Sequence, residues 1–482
     1  MSCRRTPCPR NRAGADSSRP SRASSTKGQG LPGDTVNWEL VLTRAVFAEL
    51  CRRLAENPSR VSVCPSGLAR LPDRHTVLVS ALEFRNGARR GEANLVAVGA
   101  ASEAELLARL RAAILRPPVD TPAVFLALGT GDVAGACVGQ ALSWRGPEPL
   151  GAVRVIAEGL PVVRLIPSQD QYEPDSEGNE IWSRTIGALS PPVWRRLTEL
   201  KPAIVGCGRS GSLLAGALIR SGVQAATVID SDRLELGNCG EMDLVNVADV
   251  GRSKSQAIAD ALRSLALADS EISDVLGGAT SLPALLAAKD AHFLFGCVDN
   301  GAARLAITLL AQLYLKPMLD IGTGVMETAS QGRNVGFDIR LLLPGRCLSC
   351  FGGLRLTESA AGMQNPQSIE TDWRLQRLGS LRSLNMAAVG MGLRLVEDFL
   401  AGIIRESTWL SADYEDGVPR VVAPSVAPVA NCPICALAGL GDAGLEEVPG
   451  LLERLERGES RSGGAPTMGS GGSGATAQLW AP

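Results

Sequence analysis

The sequence predicts an α/β protein in which a doubly wound, mostly parallel sheet with a four-cysteine site follows a smaller mixed α/β domain. Three observations lead to this fold class. Apolar strands alternate with helices beyond about residue 200, a glycine-rich turn follows the first of these strands, and two C-x-x-C pairs come after the alternation. The chain has 482 residues, which is too long for one ordinary core, so we expect two folded domains.

The composition describes a folded protein without a charge-driven partner. Hydrophobic residues make up 45% and charged residues 20% of the chain, and the net charge is -2. This balance gives no general attraction to nucleic acid or to an anionic membrane. The most apolar stretch, 381–404, is interrupted by four charged residues and does not predict a membrane span. The arginines near the start lack the apolar segment of a secretory signal, so we expect a cytoplasmic protein.

Two segments have globular composition, and polar segments surround them. Residues 1–34 and 459–482 lack any periodic apolar pattern, so we predict disordered tails. Residues 167–179 are polar and turn-rich and are predicted to form a linker. The two globular segments are therefore 38–166 and 180–440.

Local patterns place helices and strands in both segments. In the first, the apolar spacing predicts helices over 42–55 and 103–115 and strands over 76–82, 95–98, 123–128 and 153–157. In the second, it predicts strands over 203–205, 226–229, 292–297 and 318–321, with helices over 212–221, 254–267 and 302–314. Regular alternation of strand and helix indicates a parallel, Rossmann-like sheet with helices on both faces.

A nucleotide site is indicated where the first strand of this sheet ends. Gly206, Gly208 and Gly211 form G-x-G-x-x-G between a strand and a helix, so the backbone can turn tightly and approach a phosphate. The helix N-terminus adds amide donors and a favourable dipole. Asp230 ends the next strand, where a carboxylate can accept hydrogen bonds from ribose. These features alone also fit an NAD(P)-dependent oxidoreductase.

Further motifs do not fit an NAD(P)-dependent oxidoreductase. In chain order they are WSRT at 182–185, DSD at 230–232 with Asn238, VGRSK at 250–254 and DNGAAR at 299–304. Together they resemble the ThiF/MoeB and ubiquitin-activating enzyme family, and the resemblance covers about residues 180–440. An oxidoreductase accounts for neither the cysteine pairs nor Asp299.

The resemblance implies ATP-dependent adenylation of a carboxylate with release of pyrophosphate. Lys254 and Arg184 would face the triphosphate, Asp299 would hold Mg²⁺, and Asn238 would orient phosphate. Asp230 and Asp232 would bind the nucleotide, Asp230 through its ribose. The implied substrate is the C-terminus of a ubiquitin-like or sulfur-carrier protein, or a peptide, and the implied assembly is a homodimer.

Each of these residues also has a simpler interpretation. Lys254 could be a solvated side chain at the start of a helix, Asp299 could only cap the next helix, and Arg184 could be a surface residue. The chain also departs from the family, which usually has an arginine where Glu241 stands. A carboxylate beside phosphates is repulsive unless Mg²⁺ bridges it or it points away. A nucleotide-binding scaffold without ordinary catalytic power therefore stays open as an alternative function.

Four cysteines predict a structural zinc site. Cys347, Cys350, Cys432 and Cys435 form two C-x-x-C pairs, and four thiolates can complete a tetrahedral site without an open position for substrate. Unmetallated or redox-active dithiols are the alternative. Many family members also carry a catalytic cysteine, but residues 353–385 contain none. The chemistry is therefore expected to stop at an acyl-adenylate or to pass it to a nucleophile on a partner.

The first globular segment faintly resembles the JAB/MPN metalloprotease-like domain that is often fused to ThiF-type domains in bacteria. Active members bind zinc through a His-x-His-Pro motif, whereas the whole chain has only two histidines, His75 and His292. We therefore expect an inactive domain with a docking or scaffolding role. An unrelated α/β module is the alternative.

Overall fold

A computed structural model describes the chain over most of both segments. The described residues are 37–58, 61–82, 92–115, 122–130, 137–143, 146–156, 180–327, 333–365, 381–414, 418–427 and 429–459. The predicted linker 167–179 and tail 1–34 lie outside them, as does the predicted tail 459–482 apart from Glu459. No helix in the described parts of the chain is long and apolar enough to cross a membrane.

The first segment folds into a seven-stranded closed barrel with the order β1-β3-β2-β4-β5-β6-β7. Parallel pairing of β1 with β7 closes it. The strands are β1 (Asn37–Thr43), β2 (Val61–Arg70), β3 (Arg74–Val79), β4 (Ala93–Ala100), β5 (Ala123–Gly129), β6 (Cys137–Ser143) and β7 (Gly146–Ile156), and the helices are α1 (Arg44–Glu56) and α2 (Glu103–Leu115). The mixture of helices and strands was predicted, whereas the closure was not.

The two helices of this segment belong to different apolar clusters. Leu50 and Leu54 of α1 are buried in one cluster with Leu40 and Leu42 of β1. Leu106 of α2 is buried in a second cluster with residues of β4 and β5. The predicted helix 42–55 begins too early because residues 42 and 43 continue β1, and the hydroxyl of Thr43 caps α1 by accepting from the N–H of residue 46.

The second segment contains one eight-stranded mixed sheet with the order β10-β9-β8-β11-β12-β13-β14-β15. Its strands are β8 (Pro202–Val205), β9 (Ala225–Asp230), β10 (Glu271–Leu276), β11 (Phe293–Gly296), β12 (Met318–Glu327), β13 (Arg333–Leu342), β14 (Thr408–Asp413) and β15 (Arg420–Val422). The pairings among β8 to β12 are parallel, and those from β12 through β15 are antiparallel. Strands β8 and β11 are buried at every position, as expected for central parallel strands.

Ten α-helices are described from residue 180 onward, and the last two lie beyond the predicted end of the second segment at residue 440. They are α3 (Ser183–Leu189), α4 (Pro191–Thr198), α5 (Arg209–Arg220), α6 (Lys254–Leu265), α7 (Leu282–Asp290), α8 (Gly301–Leu313), α9 (Leu356–Gln364), α10 (Arg382–Leu400), α11 (Asp442–Leu445) and α12 (Val448–Glu456). Helices α5 and α6 contact each other, as do α7 and α8. Along the sheet, β8 lies between β9 and β11, so the strand order reverses its direction at β8. In open α/β sheets, ligands bind where the strand order reverses, beyond the carboxyl ends of the strands.

The barrel and the sheet are packed together, because the described residues from 37 onward form one compact unit. Arg74 of β3 forms an ion pair with Asp290 at the end of α7. Asp442 joins both parts: one carboxylate oxygen accepts from the N–H of Arg70 at 2.9 Å, and the other lies 2.8 Å from Nζ of Lys289. The first residue of α11 therefore joins β2 to helix α7.

Candidate functional site

The glycine-rich turn joins β8 to α5 and has the shape that its spacing predicts. Gly206 has φ of +92°, and a Cβ there would lie 2.5 Å from the carbonyl oxygen of Cys297. A Cβ on Gly211 would lie 1.9 Å from the carbonyl oxygen of Gly206. By contrast, a Cβ on Gly208, the N-cap of α5, would meet no atom within 4 Å. Two glycines thus make the turn possible, and the third leaves open space at the helix N-terminus.

Asp230 at the end of β9 supports this turn from the neighbouring strand. One carboxylate oxygen accepts from the N–H of Cys207 at 2.6 Å, and the other accepts from the N–H of Asp232 at 2.8 Å. Burial raises the pKa of Asp230, although these two hydrogen bonds and the charge of Lys254 act against it. The carboxylate is therefore fixed beside the glycine turn, and each oxygen keeps a lone pair for a ligand.

Lys254 begins α6 and faces the carboxylates of the site. Its Nζ lies 2.8 Å from Oδ2 of Asp232, and its N–H donates to the carbonyl of Asp232 at 2.9 Å. The lysine side chain is 13% exposed, whereas that of Asp232 is 62% exposed. Burial lowers the pKa of Lys254, but the carboxylates of Asp232, Asp230 and Asp299 outweigh it, so the pKa is raised. Lys254 is thus a charged lysine directed into the site.

Asp299 lies in the loop after β11, next to the glycine turn. The simpler interpretation of this residue as a helix cap is wrong, because the N-cap of α8 is Asn300, whose side chain accepts from the N–H of residue 303 at 2.8 Å. Asp299 is exposed and near enough to Lys254 to raise its pKa. The arginine of the same motif, Arg304, is buried and lies 3.4 Å from Asp320, so it supports the fold.

The segment between β9 and α6 carries Asn238 and Glu241. The side-chain oxygen of Asn238 accepts from the N–H of Glu235 at 2.9 Å and so shapes a 3₁₀ turn, Leu236–Asn238. Glu241 forms an ion pair with Arg209, with 3.1 Å between Nε and Oε2. Arg209 is the first residue of α5, between the second and third glycines of the motif. The glycine motif assigns no role to this arginine, because it stands at one of the variable positions.

Arg184 is a predicted site residue for which the described part of the structure shows no contact with the others. It lies on α3 and is exposed. Within the described ranges, its side chain forms no hydrogen bond or ion pair. Trp182 anchors the start of this region instead, because its indole N–H donates to the carbonyl of Arg220 at 2.9 Å. A role for Arg184 at the triphosphate therefore stays a prediction.

The two C-x-x-C pairs meet, although 81 residues separate Cys350 from Cys432 in the sequence. Sγ of Cys347 lies 3.6 Å from Sγ of Cys350 and 3.6 Å from Sγ of Cys432. The Sγ atoms of Cys350 and Cys435 are also 3.6 Å apart. All four sulfur atoms lie within 4.8 Å of one another. A tetrahedron with Zn–S bonds of about 2.3 Å has S···S edges of about 3.8 Å, so the four thiols fit a single zinc ion.

The thiols beside the nucleotide motifs do not resemble nucleophiles. Burial raises the pKa of Cys297 to about 12 and that of Cys207 well above its ordinary value. A thiol with so high a pKa is protonated at neutral pH, and the thiolate is the reactive form. Cys239 is half-buried, and its sulfur lies 3.9 Å from the carbonyl oxygen of Glu235.

Comparison with protein families identifies the sheet-bearing part of the chain. Residues 182–393 match the model of the ThiF family, so this part is a ThiF-family domain. The match includes the glycine turn, Asp230, Lys254, Asp299 and the first C-x-x-C pair. It begins after the barrel, so the resemblance of that segment to JAB/MPN domains stays a prediction.

Individual relatives match over the same part. The ubiquitin-like modifier-activating enzyme 5 of Dictyostelium discoideum is 25% identical over 170 residues, which are 33% of this chain and 42% of that enzyme. The enzyme of the same name from Gallus gallus is 29% identical over 175 residues, or 33% of this chain and 41% of that one. This chain therefore spans about two fifths of the length of these relatives.

Solved structures of MccB also align with this chain. The complex of E. coli MccB with ATP aligns with a TM-score of 0.42 and 19% identity over 54% of this chain and 76% of the other. A complex of the microcin C7 biosynthetic enzyme MccB with N-formylated MccA aligns with the same TM-score and 18% identity, over 54% of this chain and 77% of the other.

Proposed function

We propose that this protein uses ATP to adenylate a carboxylate and releases pyrophosphate. The observation that carries the proposal is the arrangement at the carboxyl ends of β8, β9 and β11. There a ThiF-family domain places an open glycine turn, a fixed carboxylate at Asp230 and a charged, half-buried Lys254 at one edge of the sheet. Asp299 lies exposed at the same edge of the sheet.

Each group suits one part of ATP. The N-terminus of α5 offers backbone N–H groups and a positive dipole to phosphate. Asp230 can accept hydrogen bonds from ribose hydroxyls next to that turn. Lys254 supplies positive charge where the α-phosphate is attacked and pyrophosphate departs, and such fixed charge lowers the barrier of the step.

The balance of charge supports Mg²⁺ as a companion of the nucleotide. The carboxylates of Asp230, Asp232 and Asp299 all raise the pKa of Lys254, so these four residues together carry more negative than positive charge. A bare triphosphate would be repelled, whereas Mg²⁺ is held by one or two carboxylates together with phosphate oxygens. We propose that Asp299, the exposed carboxylate after β11, is the main protein ligand.

The proposed substrate is the C-terminal carboxylate of a ubiquitin-like protein or of a peptide. The relatives named ubiquitin-like modifier-activating enzyme 5 support this class. The pKa of Cys297 and the lack of cysteine in residues 353–385 favour release or direct transfer of the acyl-adenylate over a thioester on this chain. A homodimer stays a prediction.

We also propose that zinc occupies the four-cysteine cluster. Cys347, Cys350 and Cys432 are buried, and four sulfur ligands leave no open position for substrate, so the metal would be structural. The cluster ties the loop after β13 to the segment that leads to α11, and Gly441 of that segment pairs with Leu68 of β2.

The test is ATP–pyrophosphate exchange with defined acceptors. A ubiquitin-like protein with a free C-terminus and a peptide with a free carboxylate are compared with the same peptide carrying a C-terminal amide. Exchange that depends on a free carboxylate supports the proposal. If the protein binds ATP with Mg²⁺ but exchanges with no acceptor encoded beside its gene, the scaffold function is favoured. Tighter binding of NAD than of ATP would favour the oxidoreductase instead.

A further inference from the structure

We infer that Arg209, which forms an ion pair with Glu241, supplies the guanidinium that binds the phosphate chain of ATP. This inference rests on the proposed function, because it assigns a further binding residue to the same site. Arg209 is the first residue of the twelve-residue helix α5 and directly follows Gly208. It therefore begins the helix whose N-terminal N–H groups are best placed for phosphate.

The surroundings of Arg209 leave room for a ligand. A Cβ on Gly208 would meet nothing within 4 Å, so the space beside the helix N-terminus is open. The side chain of Arg209 is 31% exposed, and its ion-pair partner Glu241 is 43% exposed. An ion pair this accessible stabilises only weakly, so a triphosphate can compete with Glu241 for the guanidinium.

The carboxylates around Lys254 explain why a second positive charge is needed to bind phosphate. Lys254 is already bound by Asp232 and faces two more carboxylates. Arg209 is thus a second cation at the glycine turn, and its guanidinium can hydrogen-bond phosphate oxygens in a bidentate manner.

The position of Glu241 is fixed from the same helix. The hydroxyl of Ser212, which is fully buried in the first turn of α5, accepts from the N–H of Asp243 at 3.1 Å. The N–H of Glu241 donates to the carbonyl of Asn238 at 3.0 Å. Glu241 is therefore held beside the start of α5, where its carboxylate orients Arg209.

The experiment compares the binding of ATP with Mg²⁺ and of adenosine by calorimetry, in the full chain. Arg209→Gln should weaken ATP binding about tenfold to hundredfold, the loss of a charged hydrogen bond, and should leave adenosine binding unchanged. Arg220→Gln, at the exposed C-terminal end of the same helix, is the matched control and should bind ATP normally. Glu241→Gln should bind ATP equally or a few-fold tighter. Thermal unfolding of each variant checks the fold.

The outcomes separate this inference from the function on which it rests. If the wild-type protein binds neither ATP nor adenosine, the proposed function fails, and the role of Arg209 fails with it. If the wild type binds ATP and Arg209→Gln binds it equally well, only the role of Arg209 is wrong. A tenfold loss of ATP affinity in Glu241→Gln would overturn the holding role and show that the carboxylate itself takes part in binding.

Discussion

Nζ of Lys254 lies 2.8 Å from Oδ2 of Asp232, and the two backbones are also joined, since the N–H of Lys254 donates to the carbonyl of Asp232 at 2.9 Å. This double contact brings the start of α6 to the end of β9, although 22 positions separate the residues. It places a charged lysine near the carboxylate of Asp230, which is proposed to bind ribose. The adenylation proposal depends on this geometry.

Removal of either Lys254 or Asp299 should abolish exchange and leave the fold intact. A fixed charge that acts on developing phosphate charge contributes about 3 kcal/mol or more, which is roughly a hundredfold in rate. Lys254→Ala and Asp299→Ala are therefore compared with Lys201→Ala, a half-buried lysine just before β8. Carboxylate-dependent ATP–pyrophosphate exchange is the measurement. Undiminished exchange in both site variants would contradict the assigned roles.

Two glycines of one motif should respond in opposite ways to the same substitution. Gly208→Ala places a methyl group in open space, so the thermal midpoint should change little while ATP affinity falls. Gly211→Ala would bring Cβ within 1.9 Å of the carbonyl oxygen of Gly206, so it should lower the midpoint strongly. Thermal unfolding and calorimetry with ATP measure both effects. Equal loss of stability in the two variants would show that Gly208 is not free for a ligand.

The central part of the site could be predicted from the sequence because its signals are local. The glycine spacing, Asp230 at a strand end and Lys254 at a helix start each depend on a few neighbouring residues. Arg209 was not predicted as a site residue because it occupies a variable position of the glycine motif. A cation at the start of a helix that is predicted to bind phosphate was nevertheless a visible signal. Its partner Glu241 lies 32 positions away, and no local pattern links the two.

The closed barrel could not be predicted in the same way. Its closing pairs, such as Trp38 with Leu150, join residues more than 100 positions apart, and apolar spacing gives no information on such partners. The packing of the barrel on the sheet was missed for a similar reason. It depends on Asp442, whose carboxylate reaches both Arg70 and Lys289, in a segment that the sequence left without a structural role.

Purified protein should contain about one zinc ion per chain, as four thiolates at these distances bind a single ion. Cys432→Ser should release it and destabilise the C-terminal segment, including its contact with β2. Cys239→Ser, a half-buried thiol outside the cluster, is the control and should keep the metal. Elemental analysis and limited proteolysis measure the two effects. Freshly prepared protein without zinc would contradict the assignment.

The buried lysine between the barrel and the sheet should make stability depend on pH. Burial, together with Arg154 and Arg74, lowers the pKa of Lys316 to about 7, although Glu39 and Asp290 act in the opposite direction. Its Nζ donates to the carbonyls of residues 289 and 291 at 2.9 and 2.6 Å, which a neutral amine can also do.

Because the folded pKa lies below the ordinary lysine value, the unfolded chain binds more protons between pH 7 and about 10, and the free energy of unfolding should rise with pH there. The contribution of Lys316 to this slope approaches about 1.4 kcal/mol per pH unit. Lys316→Met should remove that contribution, even though it lowers stability by leaving two carbonyls unpaired. Lys201→Met is the control and should keep the slope. Denaturant unfolding from pH 7 to 9 measures the difference, and equal slopes for wild type and Lys316→Met would show that Lys316 stays charged in the folded protein.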